Sequence, residues 1–372
     1  MARRSTTDLA RVTLVVLVGG VLAGAVWFQR NTIGEAVGEM RSLSVGVVAV
    51  LVVLGVVERA SRAGIVQRLL GTTSFLRSLT IHDVGTAASK GVPLGGPLGT
   101  GLRWSIARDA AVPNTTFTSM LVAYGVATTF VTWMLPLGVL LVDITKRSPT
   151  TTDLAMLGVC AVVVTGSALF WAVVLRSERV TAWLVAVVRN LADRAIVRRP
   201  SLAGRLACHD VGAGLLEVRA SLRAVAMRPF GLLASTALAQ SIGAIILLVA
   251  LRGLGVGAEL GLIEFARVYF VVTLLSSFVP VPGGVGVVEA GLTGALVAAG
   301  VDAPLALAGV LVYRLLTYVV PITLGAVLYV VWRVEVARRD PFERPGTERI
   351  HGAVGRAHES SRTELHEVAV IE

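Results

Sequence analysis

Pro280-Val281-Pro282-Gly283-Gly284-Val285-Gly286-Val287-Val288-Glu289-Ala290-Gly291 interrupts an apolar stretch that otherwise runs over 265–299. Two prolines and three glycines break a helix, because proline lacks an N–H and glycine carries extra backbone entropy into the fold. In lipid, broken backbone survives only where protein or a water-filled cavity satisfies its polar groups. An ionisable side chain at that depth marks a functional site by default, and Glu289 follows the break within one turn. The run therefore reads as the place where the protein meets a substrate, inside an all-α membrane protein.

The surrounding composition agrees. The chain has 372 residues, 55% hydrophobic and 16% charged, with a mean hydropathy of +0.77. That is too apolar for a soluble domain and typical of a polytopic membrane protein. A formal charge of +10 does not imply nucleic acid, because the arginines gather in loops between apolar segments with no interleaved aromatics. Cys160 and Cys208 give neither a disulfide framework nor metal spacing. No metal or cofactor is expected.

Segments near 12–28, 43–57, 117–142, 154–175, 231–251 and 305–331 approach or exceed the ~20 apolar residues that cross a bilayer. Residues 12–28 also resemble a signal peptide with Ala23-Gly24-Ala25 as its cleavage site, but the topology closes with this segment kept as a span. Two further apolar stretches are broken. One is 265–299. The other is 81–101, with Pro93, Gly95, Gly96, Pro97, Gly99 and Gly101. Loop arginines orient the chain by the positive-inside rule. Arg3, Arg4 and Arg11 place the N-terminus in the cytoplasm. Arg59, Arg62, Arg68 and Arg77 do the same for a loop at 58–80, as do ten arginines for 176–230 and Arg333, Arg338 and Arg339 for the C-terminus. The loops 29–42, 143–153 and 252–264 carry no excess and lie outside. The alternation holds if each broken segment enters and leaves on one side, or if 265–299 crosses twice. The expected architecture is six full spans plus two Gly/Pro-broken re-entrant elements, up to eight helices in all.

Divided near residue 150, each half reads span, span, broken element, span. Three crossings per half is odd, so the halves (about 10–150 and 151–335) are inverted relative to each other. From Gly95 to Val142 is about 47 residues, and from Gly283 to Val331 about 48. Interrupted segments at matching places in inverted halves point to a transporter's central site.

The run 280–289, followed by Tyr313-Arg314-Leu315-Leu316-Thr317-Tyr318 and Pro321, resembles the lysylphosphatidylglycerol synthase transmembrane family. In the first half, Val92-Pro93-Leu94-Gly95-Gly96-Pro97-Leu98-Gly99-Thr100-Gly101-Leu102-Arg103 is similar to that family's other signature, a Pro/Gly turn leading to an arginine. The likeness covers about 10–335 and implies a flippase-type domain. The sequence departs from the family in 121–130, which carries no charge where charges are expected. About 40 residues follow the last span, so the family's soluble aminoacyl-transferring domain, and with it lipid aminoacylation, is not expected here.

Glu289 reads either as a proton carrier or headgroup contact, or as the salt-bridge partner of Arg314. Arg314 lies nine residues into a span, deep enough to need a partner, and suits either a lipid phosphate or Glu289. The backbone at Gly283, Gly284 and Gly286 suits phosphate, because half-helix N-termini present unpaired N–H groups and a positive dipole end. Gly95, Gly96 and Gly99, flanked by Lys90 and Arg103, offer the same from the cytoplasmic side. Tyr313 completes the predicted substrate contacts. Arg267 reads as a snorkelling interfacial cation. His82 and Asp83 read as interfacial or as a proton relay. His209 and Asp210 have no third partner. Leu215, Val218, Leu222 and Val225 share one face of a helix in 176–230, either on the anionic cytoplasmic leaflet or packed on the bundle. Residues 340–372 read as a disordered tail.

These features predict a translocase for an anionic or polyprenyl-linked lipid in a bacterial plasma membrane. The rivals are a membrane-embedded transferase and an accessory subunit that docks a separate cytoplasmic synthase through 176–230. On the sequence, Glu289 has no carboxylate counterpart in the first half, which predicts an asymmetric charge step.

Overall fold

The computed structural model describes residues 43–338 apart from 93–94, 147, 181, 184–185, 188–189, 191–210, 227–228, 258–259 and 279–281. The predicted span at 12–28, the segment 29–42, the tail and the loop residues Cys208, His209 and Asp210 lie outside the described residues. So do Pro280 and Val281 of the second break and Pro93 and Leu94 of the first.

The described residues form eleven α-helices, more than the eight expected. The first is α1, Val45–Leu70, which begins on a Ser44 cap and stops at Gly71, whose φ of 73° is a glycine conformation. A Ser74 cap restarts the chain as α2, Phe75–Gly91. After the Pro93 break comes α3, Gly95–Asp109, then α4, Asn114–Ile144. A capping box between Thr150 and Asp153 opens α5, Thr151–Arg176. Next are α6, Val211–Ala226, and α7, Pro229–Gly253. The second broken segment becomes α8, Leu262–Ser276, a 3-10 turn at Pro282–Gly284, and α9, Val287–Ala298. Finally α10, Ala303–Arg314, runs through a π turn, Leu315–Val319, into α11, Val320–Arg338.

Four stretches are long and apolar enough to cross a membrane: α4, α5, α7 and the 36-residue run Ala303–Arg338. They coincide with four of the six predicted spans. The span expected at 43–57 is part of α1, and here the prediction needs correction. Residues 58–70 are not loop. They continue the helix for three more turns, with Glu58 and Arg59 only 3% and 7% exposed. A charge at the end of an apolar run reads as the start of a loop, but partners elsewhere in the fold hold these charges inside.

Each broken segment folds as a hairpin of two short helices, and these, with α6 and the division of the last span into α10 and α11, account for the number above eight. The first hairpin has its base at the C-terminal end of α11, where Arg77 pairs with Glu335 at 3.2 Å and Trp332 Nε1 donates to Asp109 Oδ2 at 3.1 Å. The second has its base at the opposite end of the bundle, where Arg267 on α8 pairs with Asp143 at the end of α4. Both tips reach the π turn, near the middle of Ala303–Arg338. The long helices cross between halves: α4 packs on α8, and α11 packs on α2. Gly325 makes the second contact close, since a Cβ there would collide with the Asp83 carbonyl.

Two apolar clusters flank the meeting point. One joins α1, α7, α8, α9 and α10 around Leu51, Ile246, Leu251, Leu292 and Leu296. The other joins the end of α1 with α2, α3, α4 and α11 around Ile81, Ile106, Met120 and Trp332. Buried charged side chains also lie inside the bundle, among them Glu58, Arg59, Asp83 and Arg314.

Candidate functional site

In the second half, three residues with positive φ turn the chain: Gly283 at 61°, Gly284 at 63° and Gly286 at 80°. At Gly283 a Cβ would also strike the Tyr318 ring. The turn aims the α9 N-terminus at α10. There Glu289 uses both oxygens: Oε2 accepts from the Gly286 N–H at 2.8 Å, and Oε1 accepts from Arg314 Nε at 2.8 Å. Arg314 also donates from Nη2 to the Gly283 carbonyl at 3.0 Å and lies 4.3 Å from the centre of the Tyr318 ring. The two predicted residues are therefore paired to each other. Glu289 already occupies the place at a helix N-terminus where an external anion would bind.

The π turn connects this group to the first half. Pro321 has no N–H to give the carbonyl four residues back, at Thr317. Lys90 Nζ, from the end of α2, donates to that carbonyl at 3.1 Å, and the Tyr318 hydroxyl donates to the Lys90 carbonyl at 3.2 Å. The two breaks that the sequence paired by spacing thus meet through Lys90 and Tyr318.

In the first half the charges come mainly from α1 and α2. Glu58 accepts from Arg62 Nε at 2.7 Å and pairs with the Arg59 guanidinium. Arg59 Nη1 reaches Asp83 Oδ1 at 3.5 Å, and His82 Nδ1 shares that oxygen at 2.8 Å. Asp83 is fully buried, and its Oδ2 has no partner among the described residues. His82 and Asp83 are therefore buried within the protein and bonded to each other. Glu58 and Asp83 also supply the first half with buried carboxylates, so the expected one-sided distribution of carboxylates does not hold.

Arg103 lies over Gly85, donates from Nη2 to Thr86 Oγ1 at 3.3 Å, and keeps a buried Nε without a partner among the described residues. The glycines before it lie in helix α3, not in a loop. The Gly95 N–H bonds the Val92 carbonyl, and Gly95 and Gly99 let α3 approach Ala88, Ser89 and Gly85 of α2. Gly96 faces open space. Tyr313 stands at the edge of the layer, its hydroxyl 3.1 Å from that of Tyr269, and the Tyr269 hydroxyl approaches Gly243. Arg267 lies far from this group, among Asp143, Asp153 and Glu264.

Sequence reasoning missed Glu58, Arg59 and Arg62. Their one visible signal was the i, i+4 spacing of Glu58 and Arg62, which pairs charges along a helix rather than scattering them in a loop. Five cations (Arg59, Arg62, Lys90, Arg103 and Arg314) face three carboxylates (Glu58, Asp83 and Glu289) among the described residues of this layer.

A family model described as the lysylphosphatidylglycerol synthase TM region matches residues 11–325. No curated protein and no solved structure matches the chain.

Proposed function

The chain belongs to the lysylphosphatidylglycerol synthase transmembrane family, which makes it a multi-pass membrane protein linked to lipid handling, and from that premise we propose that it translocates an anionic lipid between leaflets. The observation that carries the reading is the surplus of cations where the two hairpin tips meet. Buried charge is tolerated when it is paired, and four guanidinium groups, with Lys90 beside them, against three carboxylates leave room for an anion. A phosphate diester or a polyprenyl phosphate supplies it. Guanidinium groups bind such oxygens well.

In this mechanism Glu289 is the resident anion. An arriving phosphate displaces it from Arg314 and from the Gly286 N–H, loosening α9 from α10. On the other side Arg103, whose Nε has no partner among the described residues, and Lys90 receive the same group. The two hairpins are re-entrant from opposite faces of the membrane. The crossed packing of α4 on α8 and of α11 on α2 supports an inverted repeat, and rocking of one half on the other alternates access. The ends that carry Arg68, Arg77, Arg333 and Arg338 face the cytoplasm of a bacterial plasma membrane.

The test is leaflet-resolved exchange of fluorescent phosphatidylglycerol and of a labelled polyprenyl phosphate in proteoliposomes. Acceleration of either over protein-free vesicles is expected, with loss of the effect in Arg103→Gln. No acceleration of any anionic lipid overturns the reading. A chemically altered lipid in the same vesicles establishes a transferase instead.

A further inference from the structure

We propose a second lipid site, outside the polar layer, in which α4, α5, α6 and α7 enclose one acyl chain of an anionic phospholipid whose phosphate rests on Arg219. An apolar cavity of about 170 Å³ lies between these four helices. Its wall includes Ala127, Phe130, Trp171, Leu175, Leu222 and Leu232, and Ala168 lines it from α5. A cavity of this lining gives water nothing to bond, whereas an acyl chain gains contact along its length.

The mouth is marked by charge. Arg219 on α6 donates from Nη2 to the carbonyl of Leu175, itself a wall residue, at 3.1 Å. Its Nε is buried and without a partner among the described residues. Arg176 follows Leu175 directly and is exposed, and Arg223 lies one turn beyond Arg219 on the same exposed helix. Glu178 is close in sequence, and Glu217 is held by the Thr115 hydroxyl at 3.1 Å. Among the described residues the rim is therefore cationic, one N–H short of satisfaction, and one turn from the apolar wall at Leu222. Phosphate above a hydrocarbon chain matches that arrangement. α6 packs on α4 and α5, so its apolar face makes part of the pocket rather than lying free on the leaflet.

Trp171 is a probe built into the wall. The full chain is reconstituted in phosphatidylcholine vesicles with about 10 mol% of a phospholipid brominated on its acyl chains, and the Trp171 emission is taken as the difference from Trp171→Phe. Brominated phosphatidylglycerol is expected to quench it with about fivefold apparent preference over brominated phosphatidylcholine, the factor that corresponds to ~1 kcal/mol per basic residue at an anionic surface. Arg219→Gln equalises the two lipids, and Ala168→Phe removes the quenching by filling the cavity. Equal quenching in the unmodified protein overturns the site without any variant. A phosphatidylglycerol preference that survives Arg219→Gln overturns the role of the guanidinium, and unchanged quenching in Ala168→Phe overturns the cavity. The measurement is made at equilibrium and reads binding alone. Vesicles that fail to exchange lipid yet show this preference reject translocation and keep the site.

Discussion

Glu289 holds two groups with two oxygens, and the consequences can be separated. Its link to the Gly286 N–H caps α9, and its link to Arg314 neutralises a guanidinium that is nearly buried. Glu289→Gln keeps an acceptor for the N–H but leaves Arg314 as an unpaired buried charge. The expected loss is about 2–3 kcal/mol, read as a lowered melting temperature in detergent. The double variant with Arg314→Gln should be more stable than the sum of its parts, and strict additivity would refute the pair. A second contrast tests the glycines. Gly283→Ala forces an L-residue to positive φ against Tyr318 and should cost at least about 1–2 kcal/mol. Gly96→Ala meets nothing and should leave the melting temperature unchanged or slightly raised. Glu289 and Arg314 were legible in the sequence because each is a lone charge in apolar surroundings. Glu58 and Arg59 were not, because they sit where an apolar run ends, and the partner that confirms their burial, Asp83, is 24 positions away on another helix.

The π turn shows how an element is shaped by what it lacks. Leu315–Val319 precedes Pro321, and the acceptor that Pro321 leaves free is taken by Lys90. Lys90→Met removes that donor and leaves the Thr317 carbonyl unsatisfied, at about 1–3 kcal/mol. Pro321→Ala restores a backbone N–H four residues on, so Lys90→Met in that background should be nearly neutral. A double-mutant cycle in thermal stability measures the coupling, and a cycle that closes to zero rejects the exchange of donors. The sequence exposed both breaks, since Gly and Pro clusters have no place inside a long helix. It could not show that each break separates two packed helices whose tips meet on a third. That depends on contacts between segments more than 200 residues apart, as between Lys90 and Thr317.

At the scale of the whole molecule, the hairpins approach one plane from opposite ends, and this geometry constrains where their bases lie relative to a membrane. Ala111, in the turn after α3, marks the base of the first hairpin, and Asp302, before α10, marks the base of the second. The two are separated by most of the length of Ala303–Arg338, which at 36 residues spans roughly 54 Å at 1.5 Å per residue. In a background with Cys160 and Cys208 replaced by serine, Ala111→Cys should react with a membrane-impermeant maleimide only in inside-out vesicles. Asp302→Cys should react only in intact cells. Labelling of both from the same face would place both hairpins on one side, which no inverted pair of halves permits, and would remove the basis for alternating access. Labelling from opposite faces leaves the Lys90–Tyr318 contact as the point where the two sides meet. In the translocation we propose, a lipid phosphate reaching it from either leaflet would meet the same basic groups, which would lower the barrier to crossing for anionic headgroups above others.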